Sequence, residues 1–399
     1  MTLRISTAGM YAQGLAGLQQ KQAQLARTQQ ELVSDRKLLR GADDPAAMAQ
    51  SQRLDHALAS LAQNGKNANL LENRLRSQES ALADVGSQLA RAQELALQAN
   101  TPTLSDADRT AIAQELREIR TQVLAIANRD DGTGRRLFAG NRDGVVPFVD
   151  AGGTVAYAGD DGRNVVEIAP DLNVADTDAG SDVFLRVRTG DGIVRGSAGA
   201  ANTGSGVLQS SAVTDHAAWN GGSLRVEFTA ADAYRVLDGD GNELATGSYA
   251  TGGSISAGGV QLVLTGAPAA GDTFTVERAP VKDVFATLQD LADALDAPAA
   301  SPQDKARRGN AVGAAIGDLA TAQDHMLALR SGTGTRLATL DGATDTRDAG
   351  EISLTESLSQ LRDLDYAEAA SRLALQITAL DAAQQTMLKL QGMSLFQRM

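Results

Sequence analysis

The sequence predicts an α+β fold in which helices at both ends of the chain, a terminal coiled-coil pair and a helical bundle, enclose an inserted β-rich domain. Apolar residues recur at alternating four- and three-residue steps from Tyr11 to Ile126 and again from Val312 to Met387. That rhythm lays one stripe along a helix toward a partner helix. Between these regions the texture changes, because 26 of the 40 glycines fall between Gly132 and Gly271 among short runs with strand periodicity. Aromatic residues make up 3% of the chain against 43% hydrophobic. Packing is left to Leu, Ala, Val and Ile, which favours helix-on-helix contact over aromatic-lined pockets.

The first helix is read from Tyr11, Leu15, Leu18, Leu25 and Leu32, with Gln22 and Gln29 keeping the rhythm. Gly41 fits a C-cap that ends it. In RGADDPAAMAQ, Asp44 follows Asp43 at the N-cap of the next helix, and Pro45 takes the first helical position, where its missing N–H costs nothing. Leu71, Leu75, Gln78, Leu82, Val85, Leu89, Ala92 and Ala96 mark this second helix. Thr101 to Ser105 makes a turn, Ser105 caps a third helix, and Ile112, Leu116, Ile119, Val123 and Ile126 run along it. A fourth begins with Val312, Ile316, Leu319, Gln323 and Met326, and a last one carries Tyr366, Ala370, Leu373, Ile377, Leu380, Gln384 and Met387.

In the insertion, TVAYA, NVVEI, VFLRV, LRVEF, YRVL, VQLVL and TFTVE read as strands, separated by DDG, GDG, DGDG and AGD turns. The expected domains are residues 1–40 with 364–399, a terminal coiled coil; 41–144 with 281–363, a helical bundle; and 145–280, an outer β domain. The last divides into 145–200 and 207–280 if AGAANTGSG at 198–206 is a linker.

The 49 acidic against 36 basic residues give a net charge of −13, which repels phosphate backbones and anionic headgroups, so neither nucleic acid nor membrane is an expected partner. With no Cys, a disulfide framework and a thiolate metal site are excluded. The N-terminus lacks a basic n-region followed by an apolar h-region, so export is expected without a cleavable signal peptide. DGDGNE at 238–243 looks like a calcium loop, but Glu243 sits where the pattern needs Gly and no Glu closes it; a hairpin turn is the better reading. GTGRRL at 132–137 and GTGTRL at 332–337 lack the P-loop Lys and Ser/Thr and read as helix ends or kinks. His56, His216 and His325 stand in no metal-binding pattern, and there is no G-x-S-x-G elbow. The expectation is a structural protein without catalytic residues, metal or cofactor.

Those helix-boundary residues also carry a resemblance. MTLRISTAGMYAQGLAGL, SDRKLLRGADDPAAMAQ with Gly41, Asp43, Asp44 and Pro45, and DYAEAASRLALQITALDAAQQTMLKLQGMSLF, closing on Ser394, Leu395 and Phe396, resemble the flagellin-like proteins of the bacterial flagellum. The likeness is nearest to those that join hook to filament, and TGAPAAGDTFTVERAP at 265–280 is similar to a β segment of hook-associated proteins. It implies an elongated flagellin-like rod that self-assembles into a tube. Tyr11, Leu15, Leu18, Leu25 and Leu32 would form the assembly interface with Leu373, Ile377, Leu380, Met387, Leu395 and Phe396. A neighbouring hook-associated protein and flagellin would be partners, a chaperone would hold the C-terminal helix, and type III export would place the protein on the extracellular flagellum.

The other readings are a flagellin-like filament subunit, disfavoured by the start and the ending, and a type III exported surface-binding protein. One departure from the family is SGTG at 331–334, which invites a kink. Because the terminal stripes bury little against the entropy of ordering them, both end helices are expected to be largely unfolded or fluctuating in the free subunit and to order on assembly.

Overall fold

The structure, a computed structural model, describes residues 7–396. Its helices are α1 (Thr7–Ser34), α2 (Pro45–Ala99), α3 (Asp106–Ala127), α4 (Val284–Asp296), α5 (Pro302–Arg362) and α6 (Tyr366–Phe396). The chain divides into two compact units, Met1–Lys66 with Thr344–Met399 and Asn67–Ala343.

In the first unit, α1 and α6 pair antiparallel, and the start of α2 lies against the end of α5, with Arg362 bridging Asp55 at 3.6 Å. Within one chain α1 and α6 thus give each other part of the partner surface that the terminal stripes call for. Gly41 does not end the first helix. α1 stops at Ser34, where Asp35 takes a left-handed φ of 56°, and Gly41 has no positive φ. Asp and Asn tolerate that conformation through local hydrogen bonding, so the stop lies six residues before the glycine.

The second unit holds the bundle core. Gln78 and the predicted α2 stripe from Leu71 to Ala96 are fully buried or nearly so, as are Ile112, Leu116, Ile119 and Val123 of α3. Ser105 caps α3 in a reciprocal capping box with Asp108. The stripe reading missed α4, a short helix whose Phe285, Leu288, Leu291 and Leu295 pack into this core against α3. α5 runs unbroken through Ser331–Gly334 instead of kinking. Thr333 is buried there, and its hydroxyl donates to Leu329 O and accepts from Gln78 Nε2, which anchors the glycine-flanked turn.

The β region divides differently from the expected two sub-units. β1 (Phe148–Ala151) with β2 (Thr154–Tyr157) and β3 (Val165–Ala169) with β4 (Leu172–Ala175) are antiparallel hairpins. VFLRV forms a π-helical turn, Ser181–Leu185, before β5 (Val187–Arg188). Residues 138–187 contribute Phe138, Phe148, Val183, Phe184 and Val187 to the bundle core, where Phe184 lies 5.7 Å from Phe285 and 5.3 Å from Phe148. Four of the seven phenylalanines meet here, so this segment is a lining of the bundle and no outer domain.

The self-contained β domain starts at β6 (Val194–Ala198) and continues through β7 (Val207–Val213), β8 (Leu224–Ala230), β9 (Ala233–Asp238), β10 (Glu243–Ser248), β11 (Ser254–Ala257), β12 (Val260–Thr265) and β13 (Thr273–Arg278). A five-stranded sheet in the order β10-β9-β8-β13-β6 and a three-stranded sheet β11-β12-β7 close over Val226, Phe228, Leu262, Phe274 and their neighbours. β6 pairs with β13, so the 198–206 segment is an internal loop and no linker. Asp272 holds it, accepting from the amides of Thr203 at 2.7 Å and Gly204 at 3.1 Å. DGDGNE is the β9–β10 hairpin turn, with Asp238 accepting from the amides of Asp240 and Asn242 and Gly241 at φ 88°. β14 (Val281–Lys282) returns beside β5 as a two-stranded ribbon.

Candidate assembly interface

The two ends of the chain meet along one seam, and its register differs from the apolar stripe in the sequence. On α1, the residues turned toward α6 are Gly14, Leu18, Lys21, Leu25, Thr28 and Leu32, with Glu31 beside them; on α6 they are Ala369, Leu373, Gln376, Leu380, Ala383 and Met387. Both sets step four and three, the spacing of a coiled-coil seam. Leu18, Leu25 and Leu32, and Leu373, Leu380 and Met387, therefore occupy one heptad position on each helix, as the stripe predicted. The other position is held by small or polar residues, one place before the residue the pattern chose. Leu15 and Ile377, on the displaced position, are correspondingly exposed, at 45% and 43%; Tyr11 and Tyr366, one heptad before Leu18 and Leu373, and Leu388 are exposed as well, at 48%, 61% and 66%.

Sequence reasoning missed Gly14, Lys21, Thr28, Ala369, Gln376 and Ala383 because it ranked positions by hydrophobicity. The seam instead needs narrow residues where the helices approach. Gly14 shows this, since a Cβ placed on it would lie 3.0 Å from Met387 Sδ. Toward the other end, Glu31 is buried between Arg27 and Arg372, with Arg27 Nε donating to its Oε1 at 3.2 Å and the Arg372 guanidinium 4.0 Å from Oε2. Arg27 also reaches Asp43 Oδ1 at 3.1 Å, tying the helix-start turn to α1. Leu395 and Phe396 belong to the end of α6, but their side chains lie outside the described residues.

Asp44 caps α2 by accepting from the amides of Ala46 and Ala47 at 3.0 and 2.9 Å, with Pro45 at the first helical position. Asp43 accepts from Arg40 N at 3.0 Å, which closes the loop before it, while Gly41 lies open to solvent. Asp365, which the pattern did not mark, caps α6 in the same manner through Ala367 and Glu368. At the level of these caps Arg36 and Asp363 form an isolated antiparallel bridge, and Lys37 N donates to Arg362 O at 2.9 Å. The helix breaks on the two chain segments thus occur side by side.

His325 Nε2 donates to Asp182 O at 2.9 Å, while His56 and His216 are exposed. Among the described residues no group of three His, Asp or Glu could hold a metal, and no helix is long and apolar enough to cross a membrane.

An antiparallel terminal helix pair, a nested bundle and an inserted β domain define a flagellin-like chain, and residues 5–143 match the family model for the bacterial flagellin N-terminal helical region. The chain is 44% identical to Xanthomonas campestris FlgL, whose crystal structure it matches with a TM-score of 0.72, over 77% of this chain and 99% of that one. It is 25% identical to flagellar hook-associated protein 3 of Escherichia coli (strain K12) over 99% of both chains. To the flagellar junction protein FlgL of Legionella pneumophila it is 25% identical with a TM-score of 0.71, over 78% of this chain and 99% of that one. The chain belongs to the FlgL family of flagellar hook-associated proteins. It is a flagellin-like structural subunit of the bacterial flagellum, of the kind that joins hook to filament.

Proposed function

We propose that copies of this chain join one another, and the flagellar proteins on either side, through the flanks of the α1–α6 pair in a tubular assembly. The supporting observation is the row formed by Tyr366, Ile377 and Leu388, spaced eleven residues apart and therefore nearly aligned on α6, together with Leu15 on α1, all exposed. The intrachain seam occupies only one face of each helix and leaves this apolar row to a neighbour, as large exposed patches commonly mark interfaces.

In this reading residues 1–40 and 364–399 form the assembling coiled coil, Asp43, Asp44 and Pro45 set the turn where it meets the bundle, and the β domain faces outward. The neighbouring partners are another hook-associated protein and flagellin. A flagellar chaperone covers the same α6 flank before assembly, and type III export delivers the subunit to the extracellular flagellum without cleavage of a signal peptide.

The test replaces Ile377 and Leu388 together with Asp. The isolated subunit keeps its thermal transition within a degree or two, while incorporation into flagella in a strain lacking the wild-type chain is lost. Normal incorporation of the double variant would overturn the proposal.

A further inference from the structure

We propose that the β domain is a hinged body, turning on the β5–β14 ribbon and latched to α5 by Asp318 and Asn310. This goes beyond assembly through the terminal helices and is tested on the isolated subunit.

Three observations converge. The chain enters and leaves the domain through one narrow ribbon, with Val187 opposite Lys282 and Arg188 opposite Val281, and with Thr189 N donating to Pro280 O at 3.0 Å. The bundle core ends at Val187 and resumes at Val284, whereas the β-domain core lies wholly between Val194 and Val276, so no apolar cluster spans the joint. A polar joint without a shared core is the default setting for relative motion.

Across that joint the hydrogen bonds run mostly from side chain to backbone, with one ion pair among them. Asp318, itself buried, accepts from Gly190 N at 2.7 Å and pairs with Arg195 at 3.0 Å. Asn310 accepts from Leu208 N at 2.8 Å and donates to Gly206 O at 3.0 Å, imitating one residue of a neighbouring strand at the edge of β7. Between these bonds the surfaces do not close. A cleft of about 500 Å³ separates β6 and β7 from α5. A Cβ built on Gly309, Gly313 or Gly317 would just reach van der Waals contact, 3.6 Å from Val207, Leu208 O and Gly190 O, so α5 presents bare glycine backbone one methyl short of the domain. That smooth glycine face offers no interdigitating ridge to fix the angle. The orientation rests on polar bonds from α5, chiefly those of Asp318 and Asn310, with Thr321 bonding Gly190 O, Gln303 bonding Asn202 O and Arg307 bonding Ala200 O.

The chain has no cysteine, so Asp240→Cys at the tip of the β9–β10 turn and Asp324→Cys on the exposed side of α5 place two spin labels unambiguously. Pulsed dipolar spectroscopy on the latched protein is expected to give one narrow distance distribution, and adding Asp318→Ala and Asn310→Ala to broaden it at least twofold. Circular dichroism and the emission of the sole tryptophan, Trp219, report that bundle and β domain remain folded. If Asp318→Ala disturbs the bundle, Asn310→Ala with Gln303→Ala makes the same test, because Gln303 meets only the backbone of Asn202. A broad distribution in the latched protein, or a narrow one in the folded unlatched variants, overturns the inference.

Discussion

Met387 lies against the bare backbone of Gly14, its sulfur 3.0 Å from where a Cβ would stand. The contact brings α1 and α6 close at their outer end. Alanine there meets only a flexible thioether, and removing a mid-helix glycine is worth about 1 kcal/mol in helix propensity. Gly14→Ala is therefore expected to be neutral or slightly stabilising. Gly14→Leu should separate the helices and raise amide exchange across residues 370–387 by tenfold or more. Equal protection in the leucine variant would show that the pair does not depend on this approach.

Excision separates the lining of the bundle from the self-contained β domain. Replacing residues 191–278 with a short Gly-Ser linker keeps the ribbon, and the bundle should retain a cooperative thermal transition. Replacing residues 145–280 also removes Phe148 and Phe184, each fully buried, at a cost of roughly 3 to 5 kcal/mol apiece. That variant should lose cooperative melting, and a sharp transition in it would contradict the shared core.

Arg74 joins Asp131 at 2.7 Å and Asp176 at 2.9 Å in the interior of the second unit. Burial alone would raise the Asp131 carboxyl, but the hydroxyl and amide of Thr133 and the Arg74 guanidinium outweigh it and hold it at about 2, below the usual 3.8. A depressed carboxylate contributes stability above its unfolded value, and that contribution is lost as pH falls from about 4 to 2. For Asp131 it is about 2 kcal/mol. The melting temperature should drop through this window. Arg74→Leu should cost about 3 kcal/mol at neutral pH, since two buried carboxylates lose their cation, and should shrink the loss between pH 4 and 2, because the folded-state Asp131 carboxyl then rises toward its unfolded value. Melting curves of both proteins between pH 2 and 7 decide the matter.

Gly332 and Gly334 sit exposed in the interior of a continuous helix, with nothing within 4 Å of an added Cβ. Each change to Ala should raise stability by about 1 kcal/mol in chemical denaturation. Destabilisation would show that the turn needs the freedom of glycine.

Helix existence was legible wherever one stripe faced a full core, as from Leu71 to Ala96, because every buried position there except Arg74 and Gln78 is apolar. Legibility fell where partners were unequal. On α1 and α6 the seam pairs leucines with Gly14, Lys21, Thr28 and Gln376, so the hydrophobic pattern pointed a third of a turn toward the exposed flank. α4 was missed because its thirteen residues offer too few turns for a long heptad count. VFLRV looks like a strand and folds as a helical turn because Phe184 is drawn into the aromatic cluster, a tertiary demand that local periodicity does not record. The caps at Asp44 and Ser105 were readable because a capping side chain acts within four residues of itself.

Arg36 bridging Asp363 marks a pairing of segments more than three hundred residues apart, and the order in which such pairings can form follows from their nesting. Closing that loop directly from an open chain costs about 5 kcal/mol in entropy. Once the ribbon has closed and α2 has found α5, only the short connections after Ser34 and after Arg362 remain to be spanned, and the same closure is nearly free. Closing from the middle of the chain outward is therefore the order of least entropic cost, and the α1–α6 pair cannot close until the residues beyond Tyr366 have been synthesised.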